Sequence, residues 1–259
     1  MSSLSPDEIR IIGIPGLPEI KVGDNLGAII SAVITSAAIK DQSVAICAHD
    51  ILVVAQKVVS KTEGKLVWLD GVRPSKMAAT WARAYGKDPR VVEVALGESV
   101  RIVRMDRGVL ISETRHGYVC ANAGVDTSNV AEGYVTLLPD DADASARGLR
   151  GFFQREMGVE VAVIISDTFG RPWREGLVNV ALGVAGLEPL VDLRGKPDWS
   201  GQPLRVTVMA IADELASAAE LVMGKCAGRP AALIRGYGYE AAESSGQSLI
   251  RTPEMDLFR

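Results

Sequence analysis

The sequence predicts a mixed α/β protein, and three observations lead there. Short runs rich in Val and Ile, at residues 9–14, 51–55 and 159–165, have the length and β-branched content of strands. Longer segments between them place apolar residues every three to four positions, the period of an amphipathic helix. The tripeptide Asp106-Arg107-Gly108 separates two further strand candidates, 100–105 and 109–112, so an antiparallel hairpin accompanies the alternating part.

Taken in order, the first strand closes at the turn pair Pro15-Gly16. Asp24 then serves as N-cap for a helix whose Leu26, Ile29, Ile30, Val33, Ile34 and Ala37 form one apolar stripe. Strand 51–55 delivers the chain to Gln56-Lys57-Val58-Val59-Ser60-Lys61. Two helices follow, one opened by Pro74 in its first turn and one carrying Val91, Val92, Val94 and Ala95. After the hairpin, 118–121 continues as strand into the loop Asn122-Ala123-Gly124-Val125-Asp126-Thr127-Ser128-Asn129. Residues 143–157 read as a helix with Leu149, Phe152, Phe153 and Met157 on one side. The nearly unbroken apolar run 159–165 suits a central strand covered on both faces, and it ends in Ser166-Asp167-Thr168-Phe169-Gly170. A loop over 192–203, a strand over 204–210, a helix over 213–223 and a strand over 231–234 precede a Gly/Ser/Glu-rich tail. With no repeat, low-complexity tract or proline-rich linker, one domain over 1–259 is expected.

The composition narrows the class. A chain of 259 residues, 47% hydrophobic and 23% charged, buries roughly 70–75% of its unfolded surface. Asp+Glu (32) outnumber Lys+Arg (28), which argues against an electrostatic nucleic-acid binder. Cys47, Cys120 and Cys226 are scattered and odd in number, so they are expected to be inert buried thiols in a reducing compartment. No signal peptide is visible in the first ten residues, and the longest apolar-rich stretch, 25–39, is shorter than the ~20 residues a membrane span needs. A cytoplasmic protein is expected.

Two loops carry chemistry. Asp167 follows a buried strand, where the carboxylate has the placement to hold Mg²⁺ against phosphates, or simply to cap a turn. Asp126 lies in a second such loop, with Gly124 freeing the backbone and Asn129 available to hydrogen-bond a ligand; a solvated turn fits the same residues. Together the two carboxylates suit a binuclear metal site bridging a phosphoryl group. Lys57 and Lys61, four apart, meet phosphate as point charges or form a solvated helix face. Asp213-Glu214 and Lys225 suit the two ends of the late helix dipole. Absent motifs matter too: there is no G-x-x-x-x-G-K-[ST] loop, no G-x-S-x-G elbow, and Gly236-Tyr237-Gly238 lacks a third glycine. The only histidines, His49 and His116, exclude an H-E-x-x-H zinc site and read as surface or hydrogen-bonded residues.

Six segments in order give the chain a family likeness. They are Gly16-Leu17-Pro18-Glu19-Ile20, Lys57-Val58-Val59-Ser60-Lys61-Thr62-Glu63-Gly64, Ala123-Gly124-Val125-Asp126-Thr127-Ser128-Asn129, Ser166-Asp167-Thr168-Phe169-Gly170-Arg171, Ala212-Asp213-Glu214, and the nine residues from Arg251 to the end. In these the chain resembles the coenzyme F420-0:γ-glutamyl ligases over essentially its whole length.

The resemblance implies a GTP-dependent ligase that attaches L-glutamate to F420-0 through an acyl phosphate, some members extending the γ-linked chain. It implies two divalent cations, Mn²⁺ or Mg²⁺, with K⁺ as a stimulating ion. Asp126 and Asp167 would be metal ligands and the main catalytic residues, with Thr168 serving the second metal. Leu17, Pro18, Glu19, Ile20, Gln56, Lys61 and Asn129 would line the guanine nucleotide site, closed by Gly224 and Lys225. It also implies a two-lobed mixed-sheet fold without Walker or ATP-grasp motifs and an intertwined homodimer; some relatives carry an additional C-terminal flavin-binding reductase-like domain, and none is expected here. The residues alone equally permit a metal-dependent phosphohydrolase or phosphotransferase, or a non-catalytic binding protein.

Overall fold

A computed structural model describes residues 8–257. Residues 1–7, in the stretch read for a signal peptide, and Phe258 and Arg259, in the last family segment, lie outside it. Strand β1 (Arg10–Gly13) leads through the Pro-Gly turn to helix α1 (Leu26–Lys40), which buries Leu26, Ile30 and Ile34. Its N-cap is Asn25, whose Oδ1 accepts from the Ala28 N–H at 3.0 Å. Asp24, the expected cap, instead accepts from the Lys21 N–H at 2.7 Å and closes the turn before the helix.

Strand β2 (Ile51–Ala55) passes without a loop into α2 (Gln56–Thr62), then β3 (Leu66–Trp68). Helices α3 (Lys76–Tyr85) and α4 (Pro89–Gly97) follow. Pro74 lies outside α3 because Ser75, one residue on, has the oxygen that accepts from the Ala78 N–H; it is Pro89 that occupies a first-turn position, behind the cap Asp88. β4 (Ser99–Asp106) and β5 (Val109–Thr114) form the expected hairpin, with Arg107 and Gly108 both left-handed (φ 51° and 74°). That is the geometry whose twist matches the flanking strands.

Then come β6 (Val119–Ala121), β7 (Tyr134–Thr136) and α5 (Ala142–Met157), capped by Asp141 and ended by left-handed Gly158. β8 (Ala162–Arg171) and β9 (Arg174–Ala185) form a long antiparallel hairpin. Thus the strand expected to stop before Ser166 continues to Arg171, held there by β9, which the sequence reading does not anticipate. The strand expected over 204–210 shrinks to β11 (Val208–Met209), paired with β10 (Val191–Asp192), because Leu204 is bonded into the intervening loop through Gly195 and Lys196. Helix α6 (Ile211–Met223) and β12 (Ala231–Arg235) complete the elements.

The main sheet has the order β1-β12-β2-β8-β9, with β2 and β8 its one parallel pair. Alternation along its strands feeds two cores. Leu52, Val54, Val163 and Ile165 pack toward Ile30, Ile34, Leu149 and Phe153. Ile51, Val53, Ala162 and Ile164 pack toward Ala212, Leu215, Ala216 and Ala219 of α6. Covering both faces explains why these strands are apolar at every position. Gly183 permits the close approach of α5 to β9, since a Cβ there would lie 2.2 Å from the Ala142 carbonyl. The pair β3-β7 and the three-stranded sheet β4-β5-β6, with α3 and α4, surround smaller clusters such as Leu69, Ala95, Leu110, Val125 and Val135.

A buried ion pair ties β12 to the start of β2. Arg235 grips Asp50, 1% exposed, through Nε at 2.8 Å and a second nitrogen at 2.6 Å. Of the cysteines only Cys120 is buried; Cys47 is half-buried and Cys226 exposed, a correction to the expectation of three buried thiols. Among the described residues no helix is long and apolar enough to cross a membrane.

Candidate functional site

A cavity of about 370 Å³ opens where β2 runs into α2 beside β8. Its wall is built from five separate stretches: the loop after β1, the β2–α2 junction, the loop after β6, the outer part of the β8–β9 hairpin, and the end of α6 with the loop that follows. A β-bulge prepares the hairpin for this role. The pairing passes from Ile165 opposite Gly183 to Ser166 opposite Ala181, so Leu182 is skipped. Groups freed by the irregularity find side chains: Asp213 accepts the Ala181 N–H at 2.8 Å, and Tyr118 donates to the Leu182 carbonyl at 2.6 Å. Bulges of this kind re-aim side chains at sites.

Beyond the bulge come Ser166, Asp167 and Thr168, all lining the cavity. Asp167 therefore lies within a strand and does not cap a turn. Burial pushes its carboxyl up to about 6, with the charge of Asp126 adding to the effect; the Thr168 N–H and the charges of Lys225 and Lys57 oppose it. No side chain among the described residues hydrogen-bonds to it, so it is a largely desolvated anion without a direct counter-charge.

Asp126 is placed by strained backbone. Asn122, Ala123 and Gly124 are all left-handed (φ 53°, 52° and 75°), and a Cβ on Gly124 would lie 2.6 Å from Leu138. The chain then pairs once with Thr136 through mutual backbone bonds of 3.1 and 2.9 Å, which fixes Asp126. Its Oδ2 accepts from Lys57 Nζ at 2.6 Å and its Oδ1 from the Ser128 N–H at 2.7 Å. Burial pushes this carboxyl up, but the Lys57 and Ser128 bonds outweigh it and hold Asp126 below the ordinary value.

The remaining expected residues reach the same cavity. Leu17, Pro18, Glu19 and Ile20 form one side; Glu19 accepts from the buried Lys61 Nζ at 2.5 Å. Gln56 is buried with its Oε1 taken by Ser60, so its side chain faces its own helix. Asn129 is held left-handed (φ 55°), and Gly224 ends α6 with φ 60°, turning Lys225 and Cys226 into the wall. Lys57 and Lys61 are thus drawn inward onto acids, unlike a solvated helix face. His49 and His116 lie outside the cavity, and His116 packs on Tyr118 with ring centroids 5.9 Å apart.

Sequence reasoning misses two wall residues. Asn179 of β9 is 3% exposed, accepts from Thr168 Oγ1 at 2.6 Å, and donates to Glu220 of α6 at 3.1 Å. A lone Asn within Val178-Asn179-Val180-Ala181 is the signal that marks it. No cluster of three or more His, Cys, Asp or Glu is poised to hold a metal among the described residues. Asp126, Asp167 and Thr168 nevertheless fit a hard divalent cation that shares its coordination with water and ligand phosphates, because the donors are all oxygen and Asp167 is a desolvated anion in need of positive charge.

Comparison with known proteins identifies the family. A family model described as F420-0:Gamma-glutamyl ligase matches residues 16–236. The coenzyme F420:L-glutamate ligase of Methanothermobacter thermautotrophicus is 46% identical over 254 residues, covering 97% of this chain and 99% of that protein. The protein of the same name from Methanopyrus kandleri is 46% identical over 97% of this chain and 98% of its own. That from Methanocaldococcus jannaschii is 42% identical over 97% of both. The chain belongs to the F420-0:γ-glutamyl ligase family and is a ligase, an enzyme that forms carbon–nitrogen bonds.

Proposed function

We propose that this chain joins L-glutamate to F420-0 in the biosynthesis of coenzyme F420, with GTP as phosphoryl donor. What supports the reading most is convergence: every residue expected from separated sequence segments to serve nucleotide or metal lines one cavity. A carboxylate does not accept an amine directly, because oxide is too poor a leaving group. Transfer of the GTP γ-phosphoryl group to the lactyl carboxylate of F420-0 gives an acyl phosphate and GDP. Glutamate nitrogen then attacks the acyl carbon and loses a proton, while the bond to phosphate breaks and inorganic phosphate departs.

In this reading Leu17, Pro18 and Ile20 wall the nucleotide, joined by Glu19, Gln56 and Asn129, and Gly224 lets the loop after α6 close over it. Lys61 and Lys225 face its phosphates and reduce their mutual repulsion. Divalent cations held by Asp126, Asp167 and Thr168, Mn²⁺ or Mg²⁺, would supply neutralisation of phosphate charge and alignment of the transfer. K⁺ is a further stimulating ion. The working unit is a cytoplasmic homodimer of single-domain subunits, which sedimentation at assay concentration tests directly.

The decisive assay incubates the protein with F420-0, glutamate, GTP and Mn²⁺, and follows products by mass spectrometry. A species heavier by a glutamyl unit, formed together with GDP, is the expected result. GDP without any glutamylated product overturns the reading in favour of a phosphohydrolase or phosphotransferase. Nucleotide binding with no turnover at all leaves only a binding protein.

A further inference from the structure

The hydrogen bonds behind Thr168 run in one direction only. Thr168 and Asn179 face each other across the β8–β9 hairpin, and Thr168 Oγ1 lies 2.6 Å from Asn179 Oδ1. Asn179 Nδ2 lies 3.1 Å from Glu220 Oε2. Helix α6 grips the same residue a second time, since Ser217 Oγ donates to the Asn179 backbone carbonyl at 2.7 Å. An ionised carboxylate accepts hydrogen bonds and donates none, so the Asn179 amide must turn its NH₂ toward Glu220. Its carbonyl oxygen is thereby aimed at Thr168, and it too only accepts. The single Thr168 hydroxyl proton is committed to Asn179, and lone pairs are what the hydroxyl has left for the cavity. Such an oxygen suits a cation and cannot donate to a phosphate.

We infer that Glu220 is a positioning residue that acts through Asn179 to hold Thr168 as an acceptor-only oxygen, and so suits this point of the cavity to a divalent cation. The inference rests on the metal site proposed above and adds the group that orients it. With Glu220→Gln the side chain keeps its size but can present either NH₂ or oxygen to Asn179. The amide is then free to flip, and Thr168 is free to receive a hydrogen bond in place of giving one. Groups that orient metal ligands in this way typically change metal affinity about 10–100-fold when altered.

The test measures Mn²⁺ binding by calorimetry with GDP present, so that no turnover is needed, in the full-length protein and in four variants. Glu220→Gln is expected to weaken Mn²⁺ binding about 10–100-fold, with a metal-free melting temperature equal to that of the parent, which separates orientation from folding. In turnover it should raise the KM for Mn²⁺ and leave the KM for glutamate unchanged. Thr168→Val should weaken binding as well. In the double variant, adding Glu220→Gln to Thr168→Val should change binding by less than about twofold, because the two act as one unit. A further full loss in the double variant would mean that Glu220 meets the cation itself and would overturn the inference. Parental Mn²⁺ affinity in Glu220→Gln, alongside lost binding in Asp167→Asn, overturns the inference and leaves the metal site standing. Parental affinity in Asp167→Asn removes the metal site and the inference with it.

Discussion

Replacing Asp167 by Asn should make the metal-free protein more stable while abolishing its activity. The amide has the shape of the carboxyl but no charge to desolvate. In the folded chain the Asp167 carboxyl is pushed up to about 6 from an ordinary 3.8. Those two units, at about 1.4 kcal/mol each, correspond to about 3 kcal/mol of stability withheld by the ionised group. The sign follows from proton binding: the folded state holds this proton more tightly than the unfolded one. Below pH 3.8 both states are protonated and the penalty is absent; it grows as pH rises and is complete above about 6. At pH 4.5 it amounts to about 1 kcal/mol. Calorimetric melting in EDTA should therefore place the Asn variant about 6 °C above the parent at pH 7.5, and only about 2 °C above it at pH 4.5. Adding Mn²⁺ should raise the parent and leave the variant where it is. A variant that melts with or below the parent at pH 7.5 would refute the argument that Asp167 is an uncompensated anion.

Three other outcomes follow from the same geometry. Lys57→Met removes the bond that holds Asp126 below its ordinary value, so burial prevails, the carboxyl rises, and the acid limb of the kcat/KM profile moves to higher pH; an unmoved limb refutes the role of this pair. Asp50→Ala leaves the half-buried Arg235 guanidinium without its counter-charge, bonded only to the Ser43 and Ala45 carbonyls, and should lower stability by about 3–5 kcal/mol in urea titrations. Under iodoacetamide at pH 8, exposed Cys226 should be alkylated first and protected by GTP with Mn²⁺, whereas Cys120, whose thiol burial pushes up to about 12, should stay unmodified by mass spectrometry.

The parts of the fold that are legible in the sequence are those with a single possible environment. Strand β2 and the first half of β8 are covered on both faces, so every position is apolar and the run announces itself. The Arg107-Gly108 turn is legible because only a narrow set of residues tolerates two left-handed positions in succession. Strand β9 is not. Its first third, Arg174-Glu175-Gly176-Leu177, is exposed and carries no alternation, since it is bonded to the outer half of β8 alone. The strand exists because of its partner, and the partner is not visible locally. The misplaced helix start at Pro74 has a similar origin: proline marks permission to begin a helix, but the oxygen that caps α3 belongs to Ser75.

The site divides in the same way. Asp126 and Asp167 stand out because acids interrupt Gly-rich or apolar stretches, whereas the opposite directions in which their carboxyls are shifted depend on Lys57 reaching one of them from another segment and no side chain bonding to the other. Glu220 looks like any solvated helix residue, yet its position carries a physical hint. It lies in the last turn of α6, where the helix dipole disfavours an anion by about 0.3–1 kcal/mol, and the first turn already holds Asp213 and Glu214. An acid at the wrong end of a helix needs a compensating interaction. Here that compensation is the buried amide of Asn179, an isolated polar residue within Val178-Asn179-Val180-Ala181. Each residue alone is a weak anomaly of a different kind, one of charge against a dipole and one of polarity within a core strand. They are legible only as a pair, because each removes the cost of the other, and that pairing is set by the packing of α6 on β9.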